Sequence, residues 1–176
     1  MLNTTCAFTQ VATGYCAGVQ ANASPNSISA VLAPDDILLD LDVPSKNLVL
    51  QEISRFVSAR HGLSGEQVYA SLVQREAIGS TALGCGIAIP HARLKGLSRL
   101  IAAFVRTEIA VPFDAPDGKP VSDLFVLLVP NDATNAYLPL LAEVAEMFGD
   151  VSFRDGLRTC AQADDVYACI AMWRPQ

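Results

Sequence analysis

The chain has 176 residues, enough for one domain with a core, and it carries a net charge of −6 with a pI of about 4.7. It has no basic cluster, so nucleic acid is not an expected ligand. Half of the residues are apolar, but the longest apolar runs, such as 124–129, are far shorter than the roughly 18 to 20 residues of a spanning helix. The composition therefore predicts an α/β protein without membrane insertion.

The first 34 residues contain no Asp, Glu, Lys or Arg. This shift in composition predicts a poorly ordered extension over residues 1–33 and a folded domain over 34–174. A short helix at 27–32 is expected to dock on that domain. An export signal is the alternative for the extension, since Ala21–Ala23 has a cleavage-like pattern, although the start has no basic residue.

From residue 37 onwards, strand and helix patterns alternate. Ser45 and Ser64 have the positions of helix N-caps, and the sequence at 115–118 is a strong turn signal that indicates a small hairpin. Helices are predicted over 45–60, 64–74, 137–148, 151–157 and 164–172, and strands over 37–43, 86–90, 99–107 and 124–129. The alternation predicts a central mixed β-sheet flanked by helices on both faces.

The cysteines and histidines argue against a metal centre. There are five cysteines, an odd number, with no C-x-x-C spacing, and only two histidines. A structural zinc site is therefore not expected, and no other cofactor is indicated. Free thiols in a reducing cytoplasm are the simplest interpretation.

The segment from residue 75 to residue 93 contains the candidate chemistry. It ends a helix, crosses a glycine-rich loop and a short strand, and places His91 directly after Pro90. Proline restricts the path of the chain, and a histidine on a loop at a strand end is placed like a functional group. Spacing alone leaves a functional imidazole and a surface histidine without a role equally open. The other histidine, His61, follows a predicted helix and is interpreted as structural.

Four sequence motifs extend this observation. They are R-E-A-I-G-S-T at 75–81, G-C-G-I-A-I-P-H at 84–91, F-D-A-P-D-G at 113–118 and L-F-V-L-L-V-P at 124–130. Together they resemble the fructose, mannitol and nitrogen-regulatory enzyme IIA proteins of the bacterial phosphotransferase system, and the nitrogen-regulatory branch in particular. The resemblance covers about residues 34 to 174 and implies an enzyme IIA mannitol/fructose-like fold.

The resemblance implies a phosphoryl carrier rather than a stand-alone enzyme. His91 would accept a phosphoryl group from HPr or its nitrogen-branch counterpart in the cytoplasm, and the phosphorylation state would signal to regulatory partner proteins. Arg75 matches an arginine that the family carries near the phosphohistidine, and its planar donors suit phosphoryl oxygens. Ser80 and Thr81 are candidate supporting donors, although loop capping explains them at least as well.

Two positions depart from the family pattern. Tyr137 stands where many members have a second histidine; it can donate a hydrogen bond but cannot act as an imidazole. Ala92 stands where the family usually has glycine, and it would be strained if that position required a positive φ. These departures keep open the alternative of a degenerate binding module that retains the fold without efficient phosphotransfer.

A third hypothesis uses Cys85 and His91 as the nucleophile and base of a hydrolase. A catalytic cysteine needs a base within hydrogen-bonding reach. Cys85 is six residues from His91 along a predicted strand, which would separate the two side chains. A bystander thiol at Cys85 is therefore the favoured interpretation.

Overall fold

The structure, a computed structural model, describes residues 26–133 and 137–175. The strands of this part of the chain are β1 (Ile37–Leu41), β2 (Ala82–Gly84), β3 (Ile87–Ala88), β4 (His91–Leu94), β5 (Ile101–Val111) and β6 (Val121–Pro130). Its α-helices are α1 (Lys46–His61), α2 (Gly65–Ile78), α3 (Leu138–Gly149), α4 (Val151–Thr159) and α5 (Ala163–Met172). None of these helices is long and apolar enough to cross a membrane.

The strands form one mixed sheet with the order β1-β5-β6-β3-β2, and β4 also pairs with β6. β6 is central: it runs antiparallel to β5 on one edge and parallel to both β3 and β4 on the other. β3 pairs with the start of β6 at Asp123 and Leu124, and β4 pairs with its end from Leu127 to Pro130. The two short strands therefore lie one after the other along the same edge, and β4 begins at His91.

The predicted helix-flanked sheet is confirmed, with a core on each face. Phe125, Leu127 and Val129 of β6 belong to the same buried cluster as side chains of α3, α4 and α5. The alternate residues of β6 belong to a second buried cluster with side chains of α1 and α2. Because successive strand residues point to opposite faces, a strand buried on both faces is apolar throughout. The run that singled out β6 in the sequence therefore reflects its central position.

Capping chemistry sets the helix boundaries as expected. The Ser45 hydroxyl accepts a hydrogen bond from Leu48 N at 3.4 Å, and the Ser64 hydroxyl accepts one from Gln67 N at 3.3 Å. Both serines thus satisfy a backbone donor that the first helical turn leaves unpaired. Gly62 ends α1 in the left-handed conformation, with φ of 66°.

The structure corrects several predicted boundaries. α2 continues to Ile78 instead of ending near residue 74, so Arg75 lies in its last turn. β5 continues to Val111, past the exposed residues 108–110, so the strand is longer than the predicted 99–107. β2 and β4 were not predicted, because three or four residues are too few to show a period. His91 consequently belongs to a paired strand and not to the loop that the sequence suggested.

The N-terminal segment contributes to the core from residue 26 onwards. The Asn26 side chain donates to Ile170 O at 2.7 Å, and the predicted short helix is present as a 3-10 turn at Ile28–Ala30. Ile28 and Leu32 are buried against the sheet. The domain therefore begins before residue 34, whereas the prediction for residues 1–25 falls outside the described part of the chain.

Candidate functional site

The last turn of α2 and the first residue of β4 meet at the site. Gln67 near the start of α2 donates to Lys95 O, just beyond the end of β4, at 3.2 Å. Arg75 at the other end of the helix donates from Nε to His91 Nε2 at 3.0 Å. Helix and strand therefore run in opposite directions, and this packing joins two residues separated by 16 positions. The predicted proximity of Arg75 and His91 is what the structure shows.

Both ring nitrogens of His91 have a hydrogen-bond partner. Nδ1 lies 2.9 Å from the carbonyl oxygen of Ile89, which can only accept, so the proton of a neutral ring is assigned to Nδ1. This assignment leaves the lone pair on Nε2, where it accepts from Arg75. The free lone pair of a neutral imidazole is the nucleophile. Nε2 is therefore the ring nitrogen whose lone pair is available for chemistry.

Burial of the ring lowers the pKa of His91 below its ordinary value of 6.5. The Ile89 carbonyl and the negative charge of Glu76 act in the opposite direction, and the positive charge of Arg75 reinforces the lowering. The net effect favours a neutral ring at neutral pH, the form that has a lone pair to donate.

Arg75 is held in place on the other side of its guanidinium. Its Nη1 donates to Gly79 O at 2.9 Å, immediately beyond the end of α2. This bond satisfies a carbonyl left over at the helix terminus and fixes the side chain against the backbone. The guanidinium thus bridges the helix end and the imidazole.

His91 opens into a cavity of about 320 Å³. Its lining includes Arg75 and Ile78 of α2, Arg93 of β4, and Tyr137 at the start of α3. The predicted site residues His91, Arg75 and Tyr137 therefore share one cavity. With two arginines beside an imidazole, this cavity is suited to an anion.

Ser80 and Thr81 make their hydrogen bonds elsewhere. The Ser80 hydroxyl donates to Phe113 O at 2.6 Å, and the Thr81 hydroxyl donates to a carboxylate oxygen of Glu76 at 2.7 Å. Their supporting role towards a phosphoryl group stays a prediction. Thr81 is linked to the imidazole indirectly, through Ile89. The carbonyl of Thr81 accepts a hydrogen bond from Ile89 N at 2.9 Å, and the carbonyl of Ile89 accepts one from His91.

Glu76 is a central buried group that the sequence did not identify as part of the site. It is only 8% exposed and accepts from both the backbone N and the hydroxyl of Thr81. Lys46 Nζ lies 3.1 Å from its other carboxylate oxygen and 2.6 Å from a carboxylate oxygen of Asp114. This network fixes the loop that leads from α2 to the strand before His91.

The departure at Ala92 carries no backbone strain. Ala92 lies inside β4, is buried, and is absent from the described non-glycine residues with positive φ, which are Asp40, Cys85 and Asp114. The alanine methyl therefore packs in the core in an ordinary extended conformation. Glycine is not required at this position.

The hydrolase hypothesis fails on geometry. Cys85 is an exposed free thiol in the turn between β2 and β3, and it lines a different cavity together with Lys119 and Arg158. The partners of Ile87 and His91 on β6 are four positions apart, about 13 Å at the usual rise of a strand. The thiol is thus out of reach of the imidazole.

The other histidine is a structural partner, as predicted. His61 is the last residue of α1, and its Nε2 lies 2.9 Å from Oδ1 of Asp36. Both side chains are mostly buried. Within the described residues, no group of three or more His, Cys, Asp or Glu side chains could hold a metal ion.

Comparisons with known proteins agree with this geometry. Residues 30–172 match the family described as "Phosphoenolpyruvate-dependent sugar phosphotransferase system, EIIA 2". A "Nitrogen regulatory protein" of Pseudomonas aeruginosa is 39% identical over 144 residues, which are 81% of this chain and 94% of that protein. The Escherichia coli protein of the same name is 34% identical over 150 residues, 85% of this chain and 92% of the relative.

Solved structures give the same result. The crystal structure of nitrogen regulatory protein IIA-Ntr from Neisseria meningitidis has a TM-score of 0.78 and 42% identity, and the match covers 82% of this chain and 99% of that one. The crystal structure of IIA mannitol from Escherichia coli shares the fold, with a TM-score of 0.67 and 19% identity. That match covers 80% of this chain and 99% of the mannitol protein chain. The chain therefore belongs to the EIIA 2 family of the phosphoenolpyruvate-dependent sugar phosphotransferase system, and its similarity is to the nitrogen regulatory IIA-Ntr proteins of that family.

Proposed function

We propose that this protein is a regulatory phosphoryl carrier that accepts a phosphoryl group on Nε2 of His91. The donor is the phosphohistidine of an HPr-type phosphocarrier, either HPr itself or the carrier of the nitrogen branch. The observation that carries the proposal is the hydrogen-bonded pair of Arg75 Nε and His91 Nε2, 3.0 Å apart, at the wall of an open cavity. Membership in the phosphotransferase-system family supports the choice of donor.

The transfer step needs no proton movement at His91. The Nε2 lone pair attacks the phosphorus in line, the new N–P bond forms, and the N–P bond to the donor imidazole breaks, returning its electron pair to the donor nitrogen. The ring keeps its Nδ1 proton, and the Ile89 carbonyl at 2.9 Å stabilises the positive charge that develops on the ring. Phosphoryl transfer relies mainly on such positioning and charge stabilisation.

Arg75 would exchange its acceptor during the step. At rest its Nε–H occupies the Nε2 lone pair, so this bond must break before attack. The same N–H then lies where the oxygens of the transferred group arrive. Since Gly79 O holds Nη1, the guanidinium can pivot without leaving the site. Arginine suits this role because its planar donors match phosphoryl oxygens.

The cavity rim favours a protein as the donor. Ile78 at the end of α2 is 82% exposed, and Leu138 at the start of α3 is 46% exposed. Ile78 lines the cavity beside His91, and Leu138 follows Tyr137, which also lines it. Exposed apolar side chains around a polar centre are a feature of protein-binding surfaces. A small phosphodonor would not need them.

Signalling follows from the charge that phosphorylation adds. A phosphoryl group carries about 1.5 to 2 negative charges at neutral pH, and here it would be placed among exposed side chains that a partner can contact. A regulatory protein in the cytoplasm that docks on this rim would therefore distinguish the two states of His91.

The test is phosphoryl acceptance by the wild type and by His91→Ala. Purified phosphorylated HPr and phosphorylated nitrogen-branch carrier are each incubated with both proteins, and incorporation is followed by intact mass and by acid lability. The wild type should gain one acid-labile phosphoryl group, and His91→Ala should gain none while keeping its far-UV circular dichroism spectrum. His61→Gln is the matched control and should be labelled like the wild type.

Two results would contradict the proposal. Full labelling of His91→Ala would place the acceptor elsewhere. Absence of label on the wild type with both carriers would instead favour the degenerate binding module, to which Tyr137 points.

A further inference from the structure

Arg93 lies on the same side of β4 as His91 and lines the same cavity. The two residues are separated by one position in the strand, so both side chains leave the same face, about 6.6 Å apart along the backbone. Ala92 and Leu94, the alternate residues, are buried in the core. Arg93 is therefore a second cation, besides Arg75, that lines the cavity at the imidazole.

The guanidinium of Arg93 is fixed in place. Its Nη1 donates to Asn131 O at 3.2 Å and to Ala133 O at 2.9 Å, and its Nη2 donates to the Tyr137 hydroxyl at 3.2 Å. The group also stacks on the Tyr137 ring, with the central carbon 5.1 Å from the ring centroid. A cation held by three acceptors and an aromatic face is preorganised, which lowers the cost of ordering it around an anion.

Donors remain on this guanidinium for an incoming group. Arginine has five N–H donors, and the bonds formed within the described part of the chain use two on Nη1 and one on Nη2. The Nε–H and one N–H of Nη2 are left. Two donors suit two oxygens of a phosphoryl group.

We propose that Arg93 is a second ligand of the phosphoryl group on His91 and that Tyr137 positions it. This inference rests on the proposed function and deepens it. Arg75 supplies one positive charge, whereas the phosphoryl group brings nearly two negative charges. Arg93, which lines the same cavity, supplies the remaining charge. Tyr137 contributes through Arg93, by accepting its Nη2–H and by covering one face of the guanidinium.

The experiment measures the ionisation of the phosphoryl group itself. His91 is phosphorylated chemically with phosphoramidate, so the measurement does not depend on any protein donor, and singly modified protein with the group on His91 is selected by mass spectrometry. The pKa of the phosphoryl group is then read from the pH dependence of its ³¹P resonance. A nearby cation favours the dianion and lowers this pKa.

Arg93→Gln should raise the pKa of the phosphoryl group by about one unit, since one adjacent positive charge is lost. Arg93→Lys should restore most of the shift, because a lysine keeps the charge. Tyr137→Phe should raise the pKa by a smaller amount, since the ring still stacks but the hydroxyl no longer holds Nη2. Arg158→Gln is the matched control: it removes one charge from the separate cavity at Cys85 and should leave the resonance unchanged.

Kinetics give a second readout. With phosphorylated carrier as donor, Arg93→Gln should reach the same final labelling of His91 but transfer about tenfold more slowly, equivalent to about 1.4 kcal/mol in the barrier. If Arg93 only anchored the chain at Asn131 and Ala133, the variant would lose stability but keep the wild-type phosphoryl pKa, and that result would overturn the inference. Failure of both carriers to label the wild type would refute the proposed function. The ³¹P comparison would still test Arg93, because it uses chemically phosphorylated protein and needs no protein donor.

Discussion

Glu76→Gln tests whether the buried network next to the site controls the imidazole. Glutamine has the shape of glutamate and can still accept from Thr81, but it has no charge. The negative charge of Glu76 raises the pKa of His91 against the stronger effect of burial. Removing that charge should therefore lower the pKa of His91 further below 6.5, so that the ring stays neutral to a more acidic pH.

The cost in stability follows from the hydrogen bonds of Glu76. A hydrogen bond to a charged group contributes roughly 1 kcal/mol more than a neutral one, and Glu76 makes two such bonds to Thr81. The ion pair with Lys46 is also lost, although Lys46 keeps Asp114 at 2.6 Å and is not left as an uncompensated charge. The expected loss in free energy of unfolding is therefore about 2 to 3 kcal/mol.

The assays are urea denaturation and NMR titration of the His91 ring nitrogens. Asp114→Asn is the matched control, because Asp114 also binds Lys46 but its side chain is 81% exposed. That variant should lose at most about 1 kcal/mol and leave the pKa of His91 unchanged. A pKa of His91 that rose in Glu76→Gln would refute the electrostatic argument, and an unchanged unfolding free energy would refute the role assigned to the buried network.

Three further outcomes are expected. Arg75→Lys should fold but slow single-turnover transfer to His91 by roughly tenfold, about 1.4 kcal/mol, since lysine lacks the planar fork; an unchanged rate would reduce Arg75 to a surface residue. Transfer to His91 should persist as the pH falls through 6.5, because burial lowers its pKa, whereas a freely exposed imidazole would be about half protonated there. Arg106→Met should cost about 3 to 5 kcal/mol in urea denaturation, because Arg106 pairs with buried Asp123 at 2.7 Å and binds two helix-end carbonyls; a loss below about 1 kcal/mol would contradict this.

The fold could be predicted where the apolar pattern was long enough to be specific. The central strand β6 and the N-caps Ser45 and Ser64 were placed correctly, because burial on both faces and capping each leave a local signal. β4 was missed because four residues show no period, and its pairing with β6 joins segments more than 30 positions apart. Short parallel strands of this kind are specified by tertiary packing rather than by local sequence.

The site shows the same division between local and distant signals. His91 and Arg75 were found through ordered motifs within one stretch of chain. The contacts of Arg93 with Asn131 and Tyr137 span about 40 positions, and no local pattern announces them. No motif in the sequence singles out Glu76 as part of the site. Its three-way role appears when α2, the following loop and α1 come together around it.

The resting hydrogen bond between Arg75 and His91 also bears on regulation. It occupies the Nε2 lone pair, so phosphorylation of this atom, as proposed, would require a different arrangement of Arg75. Gly79 O anchors the guanidinium of Arg75 to the end of α2, and the same helix end carries Ile78. A partner that packs against this exposed isoleucine would contact a surface altered in both charge and side-chain position. Under the proposed function, a partner would therefore distinguish the two states by the added charge and by the exchange of one hydrogen-bond acceptor at a helix end.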